Sequence, residues 1–195
     1  IKYIKDINNI KDKNGDTPIV LAFKNRNYMI FELLLIKDLN INNQDINIIG
    51  RNIEDSIEIY EEYDEIKEFF IHFSSQNFIT EKLSLNDKSE IIIRIFESLN
   101  KKSQIYLSEK ILYDLCREDD LKNIDVIKYL LSINKDIINK RFDYGYTLLI
   151  WACKKKNIDL VILLLENGAD DKIITKSNNS AYDWAEGNEE IINIL

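Results

Sequence analysis

Histidine, cysteine, proline and glycine are all scarce in this chain of 195 residues, which holds one His, two Cys, one Pro and five Gly. One histidine and two isolated cysteines, Cys116 and Cys153, leave no zinc site at motif spacing and no disulfide framework. His72 stands in the apolar pattern EFFIHFSS with no Ser or Cys elbow nearby, and reads as a surface or partly buried residue rather than a catalytic one. Neither glycine-rich phosphate loop occurs. The expectation is a chain with no catalytic residues, no metal, no cofactor and no enzymatic activity. So few prolines and glycines also argue against all-β architectures, which need many tight turns. No run of about 18 apolar residues is present, so no membrane insertion is expected. There is no signal-peptide pattern, and the first residue is Ile1 rather than Met, so an upstream segment is expected to be missing.

What is present is apolar and acidic. The chain is 45% hydrophobic and 31% charged, enough to bury a substantial core and too apolar for disorder. The net charge of −8 argues against nucleic acid as a partner, since phosphate binding needs a basic surface. Ile, Leu, Asn and Lys dominate, which suits helices joined by Asn-rich turns. A cytoplasmic monomer is the expectation.

The most organised stretch is Tyr144 to Asp170, YGYTLLIWACKKKNIDLVILLLENGAD. A glycine turn precedes a threonine able to cap a helix. A short apolar helix, a polar break and a Leu-rich helix follow, and Asn167-Gly168 stops the second helix. The stretch NGDTPIVLAFKNRNYMIFELLLIKDLNIN, from Asn14, repeats that order, with Pro18 at a first helical position. Thr147 to Ser180, Trp151 to Trp184 and Ala152 to Ala185 are each 33 apart, and Gly15 to Gly145 is 130, close to four such periods.

These units resemble the ankyrin repeat, whose pattern runs G-x-T-P-L-H-x-A-A, a polar break, V-V-x-L-L-L and x-x-G-A-D. Gly145, Thr147, Leu149, Ala152, Cys153, Val161, Leu163, Leu164, Gly168, Ala169 and Asp170 fall in that register. So do Gly15, Thr17, Pro18, Ile19, Ala22, Leu33, Leu34 and Leu35. The resemblance implies an all-α solenoid of stacked helix-turn-helix units with hairpin-like turns. The reading is one solenoid over 1–195, with clear repeats at about 11–45, 110–142 and 143–175, a short terminal repeat at 176–195, and degenerate units over 46–109. Gly50 lies 35 residues after Gly15, where a further unit should begin, but no helix-start motif follows it. Residues 53–73 read as a degenerate repeat or one longer helix, 74–86 as a loop, and Asp87 to Leu99 as a helix with Asp87 and Glu90 as a capping pair. The family's T-P-L-H histidine is replaced by Val20, Ile150 and Asp183, which shifts inter-repeat contact toward apolar packing.

The resemblance also implies function: a concave surface that binds another protein. Trp151 and Trp184 occupy one slot of the short helix, which in the family faces that surface, and Leu21 holds the slot in the first unit. Tyr144 and Tyr146 flank Gly145 at the turn tip. The candidate site is Tyr144, Tyr146, Trp151 and Trp184 as anchors, with Lys154, Lys155, Lys13, Asn14, Asp16 and Leu21 around them. The competing reading has the two indoles stacked on each other and structural. Lys154-Lys155-Lys156 is expected to be solvent exposed. The run Glu54 to Glu68, with eight acidic residues and one lysine, reads as a solvated helix face. Cys116 and Cys153 read as core. An alternative function is an accessory or regulatory repeat segment of a larger enzyme or effector.

Overall fold

A computed structural model describes residues 10–37, 41–60, 63–74, 85–117 and 124–195. Every regular element among them is helical. The chain divides into two compact units, residues 1–104 and 105–195, and the division falls inside one helix, α6 (Lys101–Arg117).

The first unit begins with a repeat-like pair, α1 (Pro18–Lys24) and α2 (Tyr28–Lys37). Pro18 opens α1, where a missing N–H is harmless. Thr17 departs from expectation: it sits at the N-cap position in extended conformation but accepts no cap hydrogen bond. Its buried hydroxyl neighbours the Asp45 carboxyl without reaching bonding geometry. Burial pushes that carboxyl up, against the Thr17 hydroxyl and the Asn42 amide.

The middle of the chain is built from longer helices: α3 (Asn43–Tyr60), α4 (Tyr63–Ser74) and α5 (Leu85–Ser98). Residues 53–73 fall on α3 and α4, with residues 61 and 62 outside the described residues, and Gly50, where a further unit should begin, lies buried inside α3. Its role is close packing. A Cβ there would come within 2.2 Å of Ser98 Oγ on α5, so the missing side chain lets the two helices approach. Helix α5 starts at Leu85, which places Asp87 within its first turn rather than at its cap. Most of the expected 74–86 loop lies outside the described residues. The unit closes on an aromatic core: Phe69 meets Phe23 at 5.1 Å, Phe31 at 5.6 Å and Phe70 at 5.2 Å, and Phe70 meets Phe96 at 5.0 Å.

The second unit continues with α7 (Ile124–Ile133), a 3-10 turn at Lys135–Ile137, and the pair α8 (Leu148–Lys154) and α9 (Ile158–Glu166). A shorter pair follows, α10 (Ala181–Ala185) and α11 (Glu189–Ile194). Here Thr147 does cap, accepting from the Ile150 amide at 3.3 Å. Ser180 and Asp183 form a reciprocal capping box. The three histidine-slot residues thus diverge: Val20 and Ile150 are buried apolar side chains, while Asp183 closes a cap.

Local chemistry explains the repetition. Asp12, Phe142 and Thr175 each donate their amide to the carbonyl four residues on (Asp16, Tyr146 and Asn179), at 2.9, 2.8 and 2.9 Å. The left-handed slot of each turn holds Gly15, Gly145 or Asn178, the residue types that tolerate positive φ. Asparagines start the helices: Asn27, Asn42, Asn100, Asn157 and Asn188 each accept from the amide three residues ahead. The Asn-rich composition is therefore a set of helix caps as well as turns. Asn139 ties two successive turns, donating to the Gly168 carbonyl at 3.1 Å and accepting from the Asp170 amide at 2.8 Å.

Candidate functional site

The spacing of 33 between Trp151 and Trp184 puts them at one position of successive short helices, α8 and α10. The turn before α8 ends in Tyr146, which reaches both. Its ring stacks on Trp151 at 4.7 Å and tilts against Trp184 at 5.7 Å. The indoles meet through Tyr146 rather than through each other. Lys154, one turn on from Trp151 along α8, lays its ammonium over all three rings, 5.0 Å from Tyr146, 4.6 Å from Trp151 and 4.4 Å from Trp184. Its Nζ also donates to the Tyr146 hydroxyl at 3.4 Å.

Lys154 is thus half-buried, not the solvated lysine expected from the Lys154-Lys155-Lys156 run. Its methylenes cover aromatic surface while its charge rests on the ring faces. Lys155 is half-buried too, and Lys156 is exposed. Neither the Trp151 nor the Trp184 indole N–H, both buried, reaches a hydrogen-bond acceptor.

Helix α6 adds residues that the sequence reading passed over. The Arg117 guanidinium lies 5.4 Å from the Trp151 ring centroid and 5.2 Å from that of Tyr113. Tyr113 stacks on Phe142 at 4.1 Å. Burial raises the Tyr113 hydroxyl above the ordinary phenol value, opposed by the nearby Trp151 indole N–H and Arg117. The available signal was the spacing of four between Tyr113 and Arg117, which sets them on one helix face.

Tyr144 stands apart from this shelf. It takes a left-handed conformation (φ 56°), and its side chain is 74% exposed. Its carbonyl accepts from the Lys176 amide at 2.8 Å, so its backbone links two turns.

The other predicted members, Lys13, Asn14, Asp16 and Leu21, belong to the first unit. Lys13 and Asn14 are exposed and Leu21 is half-buried. Asp16 departs from the expected polar rim: it is buried and pairs with Lys24 at 2.7 Å. Asp12 Oδ1 holds this turn, accepting from the Asn14 and Asp16 amides at 2.8 and 2.9 Å.

Both cysteines are buried, and burial pushes each thiol up to about 12, as core residues require. His72 lies on α4, with its side chain outside the described residues. Much of the Glu54–Glu68 run lies outside them too, though Glu54 is half-buried and accepts from the Asn100 amide. Among the described residues no cluster of three or more His, Cys, Asp or Glu could hold a metal ion. None of the described helices is long and apolar enough to cross a membrane.

Known proteins share parts of this sequence. A family model for ankyrin repeats (3 copies) matches residues 91–195. The serine/threonine-protein kinase TNNI3K of Mus musculus is 36% identical over 85 residues, covering 38% of this chain and 10% of the kinase. Acyl-CoA-binding domain-containing protein 6 of Danio rerio is 37% identical over 70 residues, covering 36% of this chain and 22% of that protein. The chain therefore spans only a small part of these relatives. A solved ankyrin repeat protein, EF0377, aligns over 91% of this chain and 96% of its own, with TM-score 0.45 and 21% identity.

Proposed function

The chain belongs to the ankyrin repeat family, and from that premise we propose that it is a binding module that takes another protein on the face carrying Tyr146, Trp151 and Trp184. Proteins of this family generally act through protein–protein contact. One observation supports this face above others: three aromatic rings from a turn and the short helices of two successive repeats converge on a single lysine. Trp and Tyr dominate binding hot spots because they offer large rigid area at low ordering cost. Helix-supported side chains lose little further entropy on binding, so a few anchors suffice. Tyr144, exposed at the adjoining turn, is a peripheral contact in this reading, and Lys155 lies on its border.

The test is capture of partners from lysate by the intact chain and by a Trp151→Ala/Trp184→Ala variant, with helicity followed by circular dichroism. A partner held by the intact chain and lost by a variant of unchanged helicity is the expected outcome. Retention by the variant would sink the assignment of the face.

A second reading makes the chain a regulatory segment of a larger protein. It draws on the relatives, a kinase and an acyl-CoA-binding protein, in which the matched stretch is about a tenth and a fifth of the whole. Fusion to a catalytic part would not alter the test above, because the binding face is the same.

A further inference from the structure

We propose that the Tyr146–Trp151–Trp184 shelf receives an acidic segment of the partner protein, with an Asp or Glu carboxylate set on the Lys154 ammonium; this rests on the binding reading above. Lys154 has three ring faces and one tyrosine hydroxyl around it. No carboxylate among the described residues pairs with it. Three other cations of this unit do have one: Lys140 meets Glu109 at 2.6 Å, Arg117 meets Asp114 at 3.7 Å and Lys128 meets Asp125 at 3.8 Å. A half-buried ammonium on apolar rings is only partly solvated, so an anion that reaches it gains more than it would at an open surface.

The rest of the shelf has the same polarity. The Trp184 indole N–H is buried without an acceptor, and that of Trp151 is buried near the Tyr113 hydroxyl. Arg117 adds a second cation over Trp151, and Lys155 and Lys156 follow Lys154 in the chain. Lys154 thus sets a positive charge on the ring faces within a chain whose net charge is −8, while Arg117 beside it already meets Asp114. A cationic side chain is the wrong ligand for it. The place where such a group would sit on the rings is filled by Lys154, and its approach is opposed by Arg117. Charge complementarity selects a carboxylate.

The chain's two tryptophans both lie on the shelf, so their fluorescence reports on this site alone. Random peptides would be selected by display against the intact chain. The most enriched peptide, and its form with Glu→Gln and Asp→Asn replacements, would then be titrated against intact chain, Lys154→Met and Lys154→Arg. Acidic peptides should be enriched. Neutralising their carboxylates, or Lys154→Met, should weaken binding by about tenfold or more, while Lys154→Arg stays within about threefold. Enrichment of basic or neutral peptides, or of none, overturns the proposal, as does equal binding by the neutralised peptide. Peptides lost in the Trp151→Ala/Trp184→Ala variant but kept by Lys154→Met would retain the face and reject the carboxylate. Peptides kept by both variants would reject the face itself. Self-association of the intact chain in light scattering that Lys154→Met abolishes would assign the shelf to a second copy and also overturn the proposal.

Discussion

Lys88 of α5 and Glu32 of α2 face each other across the first unit, Nζ to Oε1 at 3.6 Å, with side chains only 2% and 4% exposed. Nearly complete withdrawal of both charges from water makes this pair costly to break. Lys88→Met, which removes the opposing charge from Glu32, is expected to cost about 3–5 kcal/mol. Lys88→Met with Glu32→Leu should recover most of that loss, because no charge is then left buried. Urea unfolding of both variants checks this. A single variant as stable as the parent would show that the pair contributes nothing.

The same lysine carries a pH signature. Burial lowers its pKa from 10.5 to about 8, against the pull of Glu32. Between those values the unfolded chain holds the proton that the folded chain has released, so stability rises with pH in this window. Below about 8 the cost of the buried ammonium is fully present. Unfolding of the parent and of Lys88→Met, compared at pH 7, 9 and 10, should show the difference moving in the parent's favour as pH rises. A difference that stays flat, or moves the other way, contradicts this placement of the charge.

Gly145 is held by its surroundings as well as by its dihedral angle. At φ +80° an added Cβ would lie 3.1 Å from the Lys176 amide nitrogen and 3.3 Å from Thr175 Cα. Gly168 has φ +87° and nothing within 4 Å. Gly168→Ala is expected to lose about 1–2 kcal/mol through left-handed strain alone. Gly145→Ala should lose measurably more, since backbone of the next turn must also move. Thermal unfolding of the two variants separates the effects, and equal losses would mean that the turns adjust freely.

Hydrogen bonds from the Ser180 hydroxyl and amide hold the Asp183 carboxyl below its ordinary value. A depressed carboxylate pKa stabilises the fold above the ordinary value of 3.8, and that contribution is lost as pH falls through the folded value. Ser180→Ala removes the hydroxyl donor, so the Asp183 titration, read by carboxyl carbon NMR, should move up toward the ordinary range. An unmoved titration would mean that the backbone amide alone sets it.

Much of the repeat architecture is legible in the sequence. The turn glycines Gly15 and Gly145, the cap at Thr147, the apolar stripes and the spacing of 33 between Trp151 and Trp184 are local or periodic signals. The expectation failed where a residue's role depends on distant chain. Gly50 falls where the period calls for a further unit, but in the fold it is the point where α3 approaches Ser98. Thr17 and Thr147 share a motif and are both buried, yet only Thr147 caps, and the Thr17 hydroxyl neighbours Asp45, a residue distant in the chain.

The candidate site divides along the same line. Periodicity alone put Trp151 and Trp184 in one slot, because a helix of fixed pitch repeated at a fixed interval returns the same face. Only the tertiary structure decided that the Tyr146 ring lies against both indoles while Tyr144 stands apart, that Lys154 folds onto all three rings, and that Asp16 turns inward to Lys24. Backbone periodicity specifies where a side chain leaves the helix. Where the end of a long flexible side chain comes to rest depends on which apolar surface and which charges the packed neighbours leave open to it, and sequence spacing carries no record of that.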